Sequence, residues 1–103
     1  MTGLTREAAE AAAERLKVYG QPQRLMILSS LLAGERTVGD IEAVTAIGQP
    51  ALSQQLAELR RAQMVLTRRV AKQVFYQLAD EKVVLCVRAI VAMFGPNDAD
   101  AAP

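Results

Sequence analysis

Hydrophobic positions along the chain repeat with two different periods. Ala8, Ala9, Ala12, Ala13 and Leu16 recur at helical spacing and predict a first helix, capped by Thr5, running to about Tyr19 and stopped by Gly20. Pro22 is placed for the first turn of a second helix. Leu25, Ile27, Leu28, Leu31 and Leu32 predict that this helix is largely buried up to Gly34. Thr37 predicts the cap of a short third helix, with Asp40 at the capping-box distance and Val38, Ile41 and Val44 facing inward. Gly48 reads as the turn into a fourth helix, opened by Gln49 and Pro50 and carrying Leu52, Leu56 and Leu59 at i, i+4 and i+7. From Val65 the period changes to two. "VLTRRV" and "AKQVFYQL" predict two short strands joined near Val70–Gln73, in a turn without the usual Asn-Gly pair. Asp80 predicts the cap of a final helix, "EKVVLCVRAIVAMF", ended by Gly95 and Pro96, and "NDADAAP" is a polar stretch expected to fray.

The order helix, helix, helix, turn, helix, hairpin, helix predicts a mainly α fold with a small β-hairpin, the winged helix-turn-helix plan. One domain over residues 1–95 and a polar tail over 96–103 account for the length. The last helix is apolar nearly all round, and a domain this small has too little protein to cover every face of it. Together with the alanine-rich first helix it predicts the interface of a two-fold homodimer.

Charge changes the picture once it is located. The net charge is only +1, yet from Gln49 to Leu78 five basic residues (Arg60, Arg61, Arg68, Arg69, Lys72) face one acid, Glu58. Seven basic and ten acidic residues lie elsewhere, so +4 in this stretch stands against −3 in the remainder. Such segregation is the footprint of a polyanion-binding surface. Catalysis finds no support: there is no histidine, no glycine-rich phosphate loop and no nucleophile paired with a base. The single Cys86 excludes an internal disulfide framework, and no apolar signal core or stretch of roughly 20 apolar residues is present. The expectation is a cytoplasmic, nucleoid-associated protein without a membrane segment and without a metal or cofactor.

The fourth helix carries the chemistry. The second helix of a helix-turn-helix enters the major groove N-terminus first, so its first turns reach base edges. Gln pairs with adenine, Ser donates or accepts, and Ala or Pro touches a thymine methyl. Gln49, Pro50, Ala51, Ser53 and Gln54 occupy those positions, and Gln55, at the side, suits a backbone contact. Arg60 and Arg61, two turns further on, suit phosphates or solvent. Arg68, Arg69, Lys72 and Gln73 gather around the hairpin tip, where phosphate contacts add affinity without sequence information. Double-stranded DNA is therefore the expected partner. The rival readings are a winged-helix protein-interaction module and a sequence-indifferent DNA-binding protein.

The stretch from "PQRLMILSSLLAGERTVGDIE" through "IGQPALSQQLAELRRAQMVLTRRVAKQVFYQLAD" resembles the ArsR/SmtB family of bacterial repressors, and within it the BigR/NolR-like branch. The resemblance implies a dimeric winged-helix repressor binding an imperfect palindrome in promoter DNA. It carries base reading onto Gln49, Ser53 and Gln54 and the wing's role onto Arg68, Arg69, Lys72 and Gln73. The family's Cys-Val-Cys-Asp metal motif falls on Thr37, Val38, Gly39 and Asp40, without either thiolate, and the histidines of its last-helix metal site are missing. The two cysteines of the BigR-like dithiol switch fall on Ser29 and Gly95. Control is left to a small organic effector in the dimer interface, a partner protein, or the protein's own concentration. Cys86 reads as a small buried hydrophobe, or alternatively as a redox-sensitive thiol.

Overall fold

The computed structural model describes residues 3–96. Five helices and three strands follow in order: α1 (Arg6–Tyr19), α2 (Pro22–Ser30), β1 (Arg36–Thr37), α3 (Val38–Thr45), α4 (Ala51–Arg61), β2 (Val65–Val70), β3 (Gln73–Leu78) and α5 (Glu81–Phe94). Of the tail expected over 96–103, all but Pro96 lies outside the described residues.

The caps read from the sequence form as expected. Thr5 accepts from the Ala8 amide, Asp80 from the Val83 amide, and Thr37 and Asp40 close a reciprocal capping box at the start of α3. The second helix is shorter than its leucine pattern suggested. Its α-helical part stops at Ser30, and Leu31–Ala33 tightens into one turn of 3₁₀ helix before Gly34, which sits at φ 129°. Leu31 still reaches the core, so the apolar spacing reported burial correctly and helix type incorrectly.

In α3, Ile41 is buried but Val44 is 55% exposed, and Thr45 takes the inward place. Spacings of three and four are both compatible with a 3.6-residue turn, and the neighbouring helices decide between them. The buried Thr45 hydroxyl donates to the Ile41 carbonyl at 2.7 Å and accepts from the Ile47 amide at 3.2 Å. A polar side chain is thus satisfied where an apolar one was expected. The turn between α3 and α4 also differs from its reading. Ala46, at φ 59°, supplies the left-handed residue, and Gly48 does not.

β2 and β3 form the expected hairpin in register Val65↔Leu78 to Val70↔Gln73, turning through Ala71 (φ 54°) and Lys72. The two-residue β1 adds a third strand on the far side of β3, pairing Arg36 with Tyr76 and Thr37 with Phe75. Two residues carry no readable period, so this strand was invisible in the sequence. The core gathers Ile27, Leu28, Ile41, Ile47, Leu52, Leu56, Leu59, Met64, Val65, Val83 and Val87. α1 contributes only Tyr19 to it and α5 only Val83 and Val87 as fully buried residues. Leu16, Leu85, Met93 and Phe94 stay exposed, so both helices keep apolar faces uncovered within the chain. No described helix is long and apolar enough to cross a membrane.

Candidate nucleic-acid interface

α4 owes its position to three leucines. Leu52, Leu56 and Leu59 are at most 2% exposed and pin one face of the helix to the core, so Ser53, Gln54, Glu58, Arg60 and Arg61 are turned outward. The helix begins at Ala51, one residue later than its sequence suggested. Pro50 takes the N-cap position with no side chain able to cap, after a cis peptide bond from Gln49. Gln49 caps from one residue further out, its Oε1 accepting from the Ser53 amide at 3.0 Å. That bond takes one of the two lone pairs of the side-chain carbonyl, and the amide NH2 keeps both of its donors for other partners.

Ser53, Arg60 and Arg61 line one cleft of about 490 Å³ with Ala57, Val38 and Tyr76 of β3. Ser53 near the start of α4 therefore shares a concavity between the helix and the sheet with Arg60 and Arg61 at its end, and Gln49, Pro50, Ala51 and Gln54 do not line it. Arg61 lies 3.5 Å from Glu58, and Arg60 makes no ion pair among the described residues. Gln54 is exposed on the adjoining face, and Ala51 is half-buried against the core.

Gln55 is placed differently. It is half-buried on the flank facing α2, where its Oε1 accepts from Arg24 Nε at 2.9 Å and its amide NH2 donates to Gln23 Oε1 at 3.3 Å. Both ends of the amide are used inside the chain, so its contacts tie two helices together. Arg24 also bonds Glu58 at 2.9 Å. At the far end of α4, Arg15 of α1 donates to the Ala62 carbonyl at 3.2 Å, a cation at the negative end of a helix. Sequence reasoning missed Arg15, Gln23 and Arg24, because partners more than thirty residues away leave no local spacing to read.

The wing's two adjacent arginines point to opposite faces of the strand. Arg68 is latched by Glu35, its Nε and Nη2 donating at 2.8 and 2.7 Å, and its guanidinium lies 5.3 Å from the centre of the Phe75 ring. The Arg68 hydrogen bonds hold the Glu35 carboxyl below its ordinary range. Arg69 shares the face of Thr67, which pairs with Tyr76 at the α4 cleft. Arg69, Lys72 and Gln73 are exposed, and neither cation forms an ion pair among the described residues. The free basic groups at the wing tip are therefore Arg69 and Lys72. Arg68 braces the strand that carries them.

The two positions matching the dithiol switch, Ser29 and Gly95, border the same small apolar pocket, together with Leu25, Met26, Val87 and Phe94. A side chain at 95 would place its Cβ 2.6 Å from the Val91 carbonyl oxygen. Cys86 is half-buried against the core and lines a groove of about 960 Å³ between α1 and α5. Burial, then a hydrogen bond with Cys86, pushes the Tyr19 hydroxyl well above its usual range. Thr37 and Asp40, at the positions of the metal motif, are spent on the capping box. Among the described residues no three His, Cys, Asp or Glu side chains gather as metal ligands do.

Residues 21–66, from the start of α2 into β2, match the family model described as bacterial regulatory protein, arsR family. The chain is 49% identical over 79 residues to the biofilm growth-associated repressor of Agrobacterium fabrum, covering 77% of this chain and 68% of that protein. This chain belongs to the ArsR family. It is also 38% identical over 95 residues to the nodulation protein NolR of Rhizobium meliloti, covering 92% of this chain and 77% of that one. The crystal structure of the transcriptional repressor BigR from Xylella fastidiosa superposes with a TM-score of 0.80 at 43% identity, over 88% of this chain and 97% of that chain. These matches support the BigR/NolR-like branch and a winged helix-turn-helix fold, and they place the chain among transcriptional regulators and not among enzymes.

Proposed function

We propose that the chain is a homodimeric, sequence-specific repressor that binds an imperfect palindrome in promoter DNA, acting in the cytoplasm on the nucleoid. Ser53 and Gln54 read bases, with the amide NH2 of Gln49 beside them. Arg60, Arg61, Arg69, Lys72 and Gln73 contact the phosphate backbone. The observation that carries this reading is the exposed start of α4, where the Ser53 hydroxyl shares a cleft with Arg60 and Arg61 and the Gln54 amide lies exposed on the adjoining face, while the leucine face and the α2 flank of the helix are committed to the protein. Pairing through α1 and α5 is supported by the apolar side chains those helices leave uncovered. A two-fold dimer presents two recognition helices, which is why the matching operator is palindromic.

Metal control and the dithiol switch are left out of the mechanism, since the side chains either would require are not at the matching positions. A small organic effector in the groove between α1 and α5, a protein partner, and simple concentration dependence are the candidate modes of control.

The test is fluorescence anisotropy with a duplex from upstream of the protein's own gene beside a scrambled duplex, over a series of salt concentrations. Tight binding to the native duplex alone, with a steep salt slope, is the expected result. Equal binding to both would make the protein a sequence-indifferent DNA binder. Binding to neither at low salt would transfer the function to a protein partner.

A further inference from the structure

We infer that Arg24 is a positioning residue that sets the rotation of the recognition helix, and that it governs the preference for one DNA sequence without touching DNA. The inference rests on the base-reading role proposed for α4. A stripe of three leucines holds α4 against the core, but apolar contact is non-directional and resists rolling about the helix axis only weakly. At a side-chain radius of about 5–6 Å, a roll of 10° moves a side-chain tip by about 1 Å. That is enough to spoil recognition, which needs groups held to about 0.5 Å.

The Arg24 guanidinium supplies the missing directional restraint. Its Nε donates to Gln55 Oε1 and its Nη2 to Glu58 Oε2, both at 2.9 Å, so one planar group grips two side chains three residues apart on the same flank of α4. Rolling the helix in either direction strains one of those bonds. The grip is itself anchored. The Arg24 amide donates to Gln21 Oε1 at 2.9 Å at the start of α2, Ile27 and Leu28 of the same helix are fully buried, and Gln23 takes the other end of the Gln55 amide. With its side chain only 21% exposed, Arg24 is also less open to solvent than Arg61 or Arg68, which are 70% and 52% exposed.

The test compares Arg24→Lys, Arg24→Ala, Gln55→Met and the double variant Arg24→Lys/Gln55→Met with wild type. The probes are a duplex that wild-type protein enriches from a randomised pool and a scrambled duplex of equal length. Lysine keeps the charge but is a single point donor and cannot bridge both partners. In Arg24→Lys, affinity for the enriched duplex is expected to fall about tenfold, while affinity for the scrambled duplex and the salt slope stay as in wild type. Gln55→Met is expected to lower the preference by a similar factor. The double variant is expected to lose no more than either single one, because both remove one clamp. Thermal unfolding of each variant separates this from a general loss of fold. If Arg24→Lys and Gln55→Met keep the wild-type preference, the inference is overturned. An equal loss on both duplexes with a shallower salt slope in Arg24→Ala would also overturn it, making Arg24 a phosphate contact. Wild-type protein that enriches no sequence would overturn the base-reading role of α4, and this inference with it.

Discussion

α4 and the wing each carry a pair of adjacent arginines, and the two secondary structures treat those pairs differently. On α4, Arg60 and Arg61 both border the cleft shared with Ser53 and Tyr76. On β2 the pleat separates the pair: Arg68 turns to Glu35 and Phe75, and Arg69 to the other face. Support differs as well. α4 buries three leucines almost completely and is gripped along one flank by Arg24, whereas β2 buries only Val65. A stiff helix can hold short amides and hydroxyls at defined places, as base reading requires. A hairpin carrying long cations at its tip can follow a phosphate backbone, whose charge is the same at every step. Under the proposed function this difference corresponds to a division of labour, with discrimination on α4 and sequence-independent affinity on the wing.

The largest effect is expected from removing the helix's support. Leu56→Ala empties a site that is 2% exposed, and urea unfolding should show a loss of about 2–5 kcal/mol. That is a large share of the 5–15 kcal/mol typical of a small domain. Gln54→Ala, at an exposed position, is expected to leave the fold intact and to remove an amide proposed to read bases. Anisotropy should show affinity for the native duplex falling by about 1–3 kcal/mol with little change on the scrambled one. Equal weakening of both would erase the distinction between helix and wing. Lys72→Ala is the matching change at the wing tip. It should weaken both duplexes alike and reduce the slope of log affinity against log salt by about one.

The smallest effect is expected from the latch on the wing. Glu35 has its carboxyl lowered from 4.5 by the Arg68 hydrogen bonds, so the folded state favours the charged form. The latch therefore contributes fully above pH 4.5 and is lost as the pH falls through the lowered folded value. Amide chemical shifts of β2 should move over that window in wild type. In Glu35→Gln they should lie near the low-pH position throughout. Unchanged shifts in both would mean that the hairpin ladder alone holds the wing.

Local rules determined a good deal of this protein from the sequence by itself. The caps at Thr5, Thr37 and Asp80, the leucine stripe of α4, the change of period at Val65 and the breaks at Gly20 and Gly95 each depend on residues a few positions apart. Those signals were sufficient for five helices, a hairpin and the charge gathered between residues 49 and 78. Choices made by distant neighbours were not readable. Thr45 went inward in place of Val44, Leu31–Ala33 tightened into 3₁₀ geometry, and Arg36–Thr37 joined the sheet through Phe75 and Tyr76. The site divides along the same line. That Ser53 and Gln54 face outward follows from helical period alone. That Gln49 caps, Gln55 and Arg24 clamp, and Arg68 is latched depends on atoms brought together by folding, because a polar side chain takes whichever partner lies within about 3 Å of it and the chain order does not record which one that is.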